Sequence, residues 1–313
     1  MSENNHAPDT AQNTGQQKPL REISVEGCEI LGKGGNGAVY RLDDETIVKV
    51  YFGERNSPEK INRNRENTRA AFVQGVPTMI AFDMVRVGEN YGVVYEMINA
   101  KSLGQEIAAH PDRLDEYANL IADTLIKLHH TEFQEGVLPD SRESYKKDIT
   151  DTLKAGYYKP QEAERLYRLI DEIPPRNTFI HQDFHPGNIM LQNGEIVLID
   201  VDDSGLGHPV LDLASMYLVY VTASKSNWKT TNIGITGQQY QRLWDIIVRR
   251  YFDTNDPKEI EEINRILGGY SRVKLIRGVA TSPSVPGILR RPVVAFTKRK
   301  LLQTVDTLYP VPR

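Results

Sequence analysis

Cysteine is nearly absent from this 313-residue sequence: Cys28 stands alone, which excludes an intramolecular disulfide and any cysteine-built zinc site. It reads as a small core hydrophobe. Long apolar runs are missing too. No stretch approaches the roughly eighteen residues of a membrane span, and the first residues lack a basic start and an apolar signal core. These absences lead to the expectation of a cytoplasmic protein with no membrane partner and no nucleic-acid partner. Acidic residues are absent from one region: positions 263–305 hold no Asp or Glu but nine Lys or Arg, in a chain of net charge −4. Segregation of this kind bears on partners and not on fold. No internal repeat is evident. What remains, 39% hydrophobic and 26% charged residues, is the composition of an ordinary globular protein, long enough for two lobes or two domains.

The chemistry concentrates in residues 179–203, FIHQDFHPGNIMLQNGEIVLIDVDD. Two short β-branched runs, 189–191 and 196–199, flank Gln192, Asn193 and Gly194, and an Asn-Gly pair between such runs signals a hairpin. That hairpin would bring Asn188, before the first strand, close to Asp200, after the second. Asp183 lies five residues before Asn188, in a loop. An amide and a carboxylate at one sheet end suit a hard cation such as Mg²⁺ that also holds phosphate oxygens.

HQDFHPGN followed by Asp200 resembles the catalytic and metal loops of the aminoglycoside phosphotransferase and choline kinase family, which has a protein-kinase-like fold. The resemblance implies an α+β, bilobal molecule with a five-stranded antiparallel N-terminal sheet, one helix, and a mainly helical C-terminal lobe. It makes Asp183 the catalytic base and Asn188 and Asp200 the magnesium ligands. Asp202 would add a metal contact, directly or through water, where protein kinases carry glycine. Asp212 would anchor the catalytic loop, and His181 would pack it.

Along the chain, residues 1–20, polar and rich in Asn and Gln, read as a disordered tail; 21–98 then form a nucleotide-binding lobe and 99–313 a catalytic and acceptor-binding lobe. CEILGKGGNGAVYRL reads strand, glycine loop, strand. Gly32, Gly34 and Gly37 match G-x-G-x-x-G, and with Gly35 they would take positive φ and bring backbone N–H groups to phosphates. A strand follows the loop, which separates it from a dinucleotide-binding turn, where a helix follows. Lys49 faces opposite to Val48 and Val50; by alternation alone it is a solvent-facing strand residue or a phosphate ligand. The resemblance makes it the phosphate-binding lysine, paired with a glutamate of the next helix (59–73, capped by Ser57 and Pro58). Glu66 is the choice for that partner and Glu59 the alternative. Glu96 and Ile98 would offer backbone bonds to adenine, with Tyr95 behind the base. The helical patterns beyond residue 102 include one closed by His129 and His130, which favour its C-terminal dipole. The last of them starts after Pro292.

These residues together imply an ATP- and Mg²⁺-dependent phosphotransferase acting on a hydroxyl of a small molecule. A protein kinase is the first alternative. Against it stand Gln182 in place of arginine, His185 in place of lysine, and only eleven residues between Asp200 and Asp212, with no A-P-E sequence. A nucleotide-binding pseudokinase acting as an interaction module is the second, and a phosphotransfer assay separates it. Arg272, Lys274, Arg277, Arg290 and Arg291, if they face the cleft, would repel a polycation, so a neutral or anionic acceptor is expected.

Overall fold

The computed structural model describes residues 20–34, 37–225, 234–282 and 285–309. The tail expected over residues 1–20 lies outside these, Leu20 excepted, and so does Gly35.

Strands β1 (Arg21–Glu22), β2 (Ile30–Gly34), β3 (Gly37–Arg41), β4 (Thr46–Tyr51), β5 (Ala81–Val87) and β6 (Asn90–Glu96) build one sheet in the order β1-β5-β6-β4-β3-β2, with helix α1 (Pro58–Val73) between β4 and β5. The sheet has six strands where five were expected, and β1 runs parallel to β5, Arg21 opposite Val85. A two-residue strand carries no alternation to read. It forms because the open edge of β5 offers backbone groups that must be paired, and Ile23 extends the contact by donating to the Arg86 carbonyl at 2.9 Å. Cys28 is half-buried in the turn before β2, outside the core clusters.

Alternation along β4 sorts its side chains onto two faces. Val48 and Val50 pack with Val85, Val87 and Val94. Ile47 and Tyr51 pack on the other face with Met84, Val93, Tyr95 and Ile61 of α1, and Lys49 shares that face. Helix α1 starts as its sequence dictates: Pro58 occupies the first turn and the Ser57 hydroxyl accepts from the Lys60 amide at 3.4 Å.

The helical part comprises β7 (Lys101–Ser102), α2 (Leu103–Ala109), α3 (Leu114–His130), α4 (Ser141–Lys154), α5 (Pro160–Asp171), β8 (Thr178–Ile180), β9 (Ile189–Gln192), β10 (Glu195–Leu198), β11 (Gly205–Gly207), α6 (Val210–Tyr217), α7 (Gly237–Phe252), α8 (Pro257–Thr281) and α9 (Gly287–Thr304). One continuous core joins them. In α3 the buried stripe Leu114, Tyr117, Ala118, Ile121, Ala122, Leu125, Leu128 follows the helical period. Helix α8 runs unbroken through Gly268 and Gly269, whose missing side chains admit Tyr217 and Leu308 against it. Helix α9 starts five residues before Pro292, earlier than expected. The proline removes one bond near the helix start, where the Ile288 carbonyl it orphans belongs to a residue open to water.

The segment after α1 is tied to the β9–β10 hairpin: Leu198 donates to the Pro77 carbonyl and the Thr78 hydroxyl donates to the Leu198 carbonyl at 2.9 Å. These bonds set β4 over the hairpin end. Among the described residues no helix is long and apolar enough to cross a membrane.

Candidate active site

The loop after β8 is held from beneath by Asp212, in the first turn of α6 and fully buried. Its carboxylate accepts the amides of His181 (2.8 Å) and Gln182, and the ring of His129 (3.2 Å). Burial would raise its pKa, and His129 and His181 hold it below the usual carboxylate range. His181 is buried between Phe179 and Phe184, with Nδ1 accepting the Asp183 amide and Nε2 against the Ile199 carbonyl. His129 is the residue that the sequence reading misplaced. It points inward to Asp212 and to the Tyr251 hydroxyl, while His130 alone bonds the helix C-terminus through the Ile126 carbonyl. Its spacing, four residues beyond the buried Leu125, was the available signal.

Asp183 emerges from this anchored loop with its side chain 58% exposed. The amide of Asn188 donates to its carboxylate at 3.1 Å and to its backbone carbonyl at 3.1 Å, and His185 Nε2 stands 3.7 Å away. His185 Nδ1 accepts the Gly187 amide, which fixes the proton on the nitrogen facing Asp183. Desolvation raises the Asp183 pKa, but His185, His181 and Lys274 outweigh it and bring it down to about 2.

The expected hairpin forms, with Glu195 opposite Gln192 and Asn193 and Gly194 in left-handed conformation, φ 54° and 85°. Ile199 donates to the Asn188 carbonyl at 3.0 Å, so Asn188 and Asp200 emerge side by side. Asn188 turns its amide nitrogen to Asp183, leaving Oδ1 as its acceptor, and Asp200 is 49% exposed. Lys49 Nζ sits between two carboxylates, 2.7 Å from Asp200 Oδ1 and 2.7 Å from Asp202 Oδ2. Burial would lower its pKa; Asp202 and Asp200 raise it, so it stays an ammonium. Asp202, only 5% exposed, also accepts the Tyr51 hydroxyl at 3.0 Å. Burial pushes the Asp202 carboxyl up against the pull of Lys49. Arg55 reaches Asp203 at 3.1 Å.

The partner of Lys49 is therefore supplied by the segment after β10, and the helix glutamates stand elsewhere. Glu66 is exposed and bonds its neighbour Arg65; Glu59 bonds the Ser57 hydroxyl at 2.8 Å. The face of α1 turned to the sheet is marked by Ile61, Thr68 and Ala71, and the 100° step per residue carries Glu66 away from it.

Among these donors, oxygens predominate: Asn188 Oδ1, Asp200 and, behind them, Asp202. Asn188 and Asp200 fit Mg²⁺, and the Lys49 ammonium shows that their neighbourhood gathers a cation. Asp202 fits less well as a direct ligand, since Lys49 and Tyr51 share its Oδ2. No group of three His, Cys, Asp or Glu converges as a cage among the described residues, so phosphate and water would complete such a shell.

Beyond Lys49 the glycine hairpin pairs Gly34 with Gly37. Gly32, Gly34 and Gly37 do not take positive φ, contrary to expectation. Gly37 is required for another reason: a Cβ there would lie 2.3 Å from the Val50 carbonyl oxygen of β4. At the end of β6, Glu96 donates its amide to the Ile80 carbonyl and Met97 to that of Glu45, while Ile98 uses its carbonyl for Ala100. The Ile98 amide has no hydrogen-bond partner among the described residues. Tyr95 is buried in the core beside Ile47 and Met84.

Of the basic residues of α8 and α9, Lys274 reaches the loop and Arg277 reaches α4. Lys274 donates to the Gln182 carbonyl at 2.9 Å and Arg277 lies 3.4 Å from Asp148 of α4. Arg290 instead caps the carbonyls of Ser282 and Val285, and Lys298 pairs with Glu162.

Residues 27–244 match the Phosphotransferase enzyme family. No curated protein sequence matches the chain. The fold is similar to that of ADP-bound aminoglycoside phosphotransferase APH(2'')-Ib, with TM-score 0.56 and 15% identity, covering 93% of this chain and 95% of that one. It is similar also to a choline/ethanolamine kinase family protein from Mesorhizobium loti, with TM-score 0.52 and 17% identity over 96% and 90%. The streptomycin-ATP-APH(2'')-IIa ternary complex gives 0.51 and 16% over 90% and 92%. With the family match spanning most of the chain, and Asp183, Asn188, Asp200 and Lys49 gathered together in the fold, the chain belongs to the phosphotransferase enzyme family and has a protein-kinase-like fold.

Proposed function

We propose that the protein transfers the γ-phosphoryl group of ATP to a hydroxyl of a small molecule, with Mg²⁺ as cofactor. The observation that carries this reading is Asp183: an exposed, ionised carboxylate on a rigidly anchored loop, beside Asn188, Asp200 and Lys49. Mg²⁺, when bound by Asn188 and Asp200, neutralises phosphate charge. Lys49 holds phosphate oxygens, and Asp202 with Tyr51 keeps its ammonium in the cleft. Asp183 orients the acceptor hydroxyl and takes its proton as the P–O bond forms, so catalysis is positioning and charge stabilisation.

The segment between Asp200 and Asp212 favours a small acceptor over a protein. It forms a single turn over Val201–Asp203 and the buried strand β11, paired with β8, which leaves no exposed platform for a peptide. A neutral or anionic acceptor fits the charges on this side of the cleft, where Asp148 faces Arg277, Asp203 faces Arg55 and Lys274 adds a cation. Labelled Mg-ATP offered with sugars, sugar phosphates, hydroxy acids, choline and kanamycin tests the reading. Label is expected in a neutral or anionic acceptor. Robust labelling of kanamycin overturns the charge assignment, and absence of any transfer or hydrolysis with intact ATP binding leaves the interaction-module alternative.

A further inference from the structure

Gln182 precedes Asp183 and holds a left-handed backbone, φ 68°. In a residue with a Cβ this conformation costs about 1–3 kcal/mol and persists only where its surroundings over-determine it. Here every polar group of Gln182 is engaged. Its N–H donates to Asp212, Oε1 accepts the Ser144 hydroxyl at 2.6 Å, Nε2 donates to the Asp203 carbonyl at 2.7 Å and reaches Ser141 at 3.5 Å, and its carbonyl accepts Lys274 Nζ at 2.9 Å.

Lys274 is the one contribution from α8, and its charge needs an explanation. The ammonium lies 5.0 Å from the Tyr145 ring centroid, and among the described residues no carboxylate approaches within 4.0 Å. Burial pushes its pKa down, against the pull of Asp148, Asp212, Asp183 and Asp203. A half-buried charge without an ion-pair partner does little for stability, and an apolar side chain of the same length would fill the space at lower cost. What the ammonium does provide is the bond to the carbonyl of the peptide that joins Gln182 to Asp183. Without it that peptide plane keeps only the long bond from the Asp183 amide to His181 Nδ1 at 3.3 Å, and the carboxylate it carries is held less tightly.

We propose that Lys274 is a positioning residue for phosphoryl transfer: by pinning the Gln182 carbonyl it holds the left-handed turn and aims Asp183 at the acceptor hydroxyl. The inference rests on the role of Asp183 given above. It is tested in the full chain with Lys274→Met and Lys274→Arg, using Mg-ATP with water as the acceptor. In Lys274→Met, kcat falls about 10- to 100-fold, the KM for ATP stays within about twofold because the phosphate contacts are untouched, and Tm stays within about 3 °C. Lys274→Arg, which still donates to the carbonyl, restores most of kcat; a side chain that only filled space would not separate Arg from Met in this way. Amide hydrogen exchange in the peptide covering residues 179–190 quickens in the Met variant and not in the Arg variant. Wild-type kcat per folded molecule in Lys274→Met, equal loss in both variants, or unchanged exchange overturns the proposal. If Lys274→Met does not fold, Lys274→Leu, which also lacks a donor, replaces it under the same criteria. A wild-type protein without turnover instead refutes the role of Asp183, and the exchange measurement then still decides whether Lys274 holds the loop.

Discussion

An exposed carboxylate with a pKa of about 2 is fully ionised at neutral pH, so the role proposed for Asp183 is that of an orienting group and late proton acceptor and not of a strong base. Asp183→Asn keeps the shape and removes the charge; kcat should fall about 10²- to 10⁴-fold with little change in ATP affinity, as read from steady-state kinetics. Wild-type turnover in this variant would place the base elsewhere. Asp200 and Asp202 separate by a different measurement. Asp200→Ala should abolish the gain in ATP affinity that Mg²⁺ provides, in calorimetric titrations with and without the ion. Asp202→Asn should weaken ATP binding equally under both conditions, because it acts on Lys49 and Tyr51. A Mg²⁺-specific loss in Asp202→Asn would return it to the metal shell.

Elements place these residues through contacts that a few positions control. The Asn193-Gly194 turn sets hairpin register, and register alone decides that Asn188 and Asp200 share one end. Gly37 decides whether β3 can lie on β4. In Gly37→Ala the new methyl would stand 2.3 Å from the Val50 carbonyl oxygen, so the strands must part there. We expect unfolding free energy, measured by denaturant titration, to fall by about 1–3 kcal/mol, together with a raised KM for ATP. Wild-type stability in this variant would mean that β3 shifts freely and that the glycine hairpin is not held by β4.

For the whole molecule, one contribution to acid stability comes from a group outside the cleft. His208, buried between β11 and α6 with Nδ1 accepting the Val210 amide, has its pKa lowered by burial, then by Arg176 and His129, to about 4. Its unfolded value is near 6.5, so the unfolded chain binds the extra proton first. Stability is complete above about pH 6.5 and declines as pH falls toward 4, by about 3 kcal/mol. The depressed pKa of Asp183 acts only below about pH 4, which keeps the two contributions apart. Urea titrations from pH 7 to 4 should show the decline, and His208→Gln should flatten it; an equal slope in the variant would assign the effect to other groups.

Much of this was written locally. The G-x-G-x-x-G loop between strands, the Asn-Gly hairpin, the Ser57-Pro58 helix start and the spacing of Asp183, Asn188 and Asp200 are short-range patterns, and short-range patterns are what propensity and alternation encode. The sequence by itself thus determined the local elements and, through the family resemblance they carry, the expectation of a kinase-like plan. It did not determine their partners. Lys49 meets Asp200 and Asp202, more than 150 positions away, and Gln182 meets Lys274, because two segments unrelated in sequence are packed against one another. Glu66 lies on the wrong face of α1 for a reason legible only once Ile61 and Ala71 are seen to be buried. β1 joins the sheet through the free edge of β5 and not through its own side chains. Such choices follow from burial and unpaired backbone groups, which exist only after the chain has closed on itself.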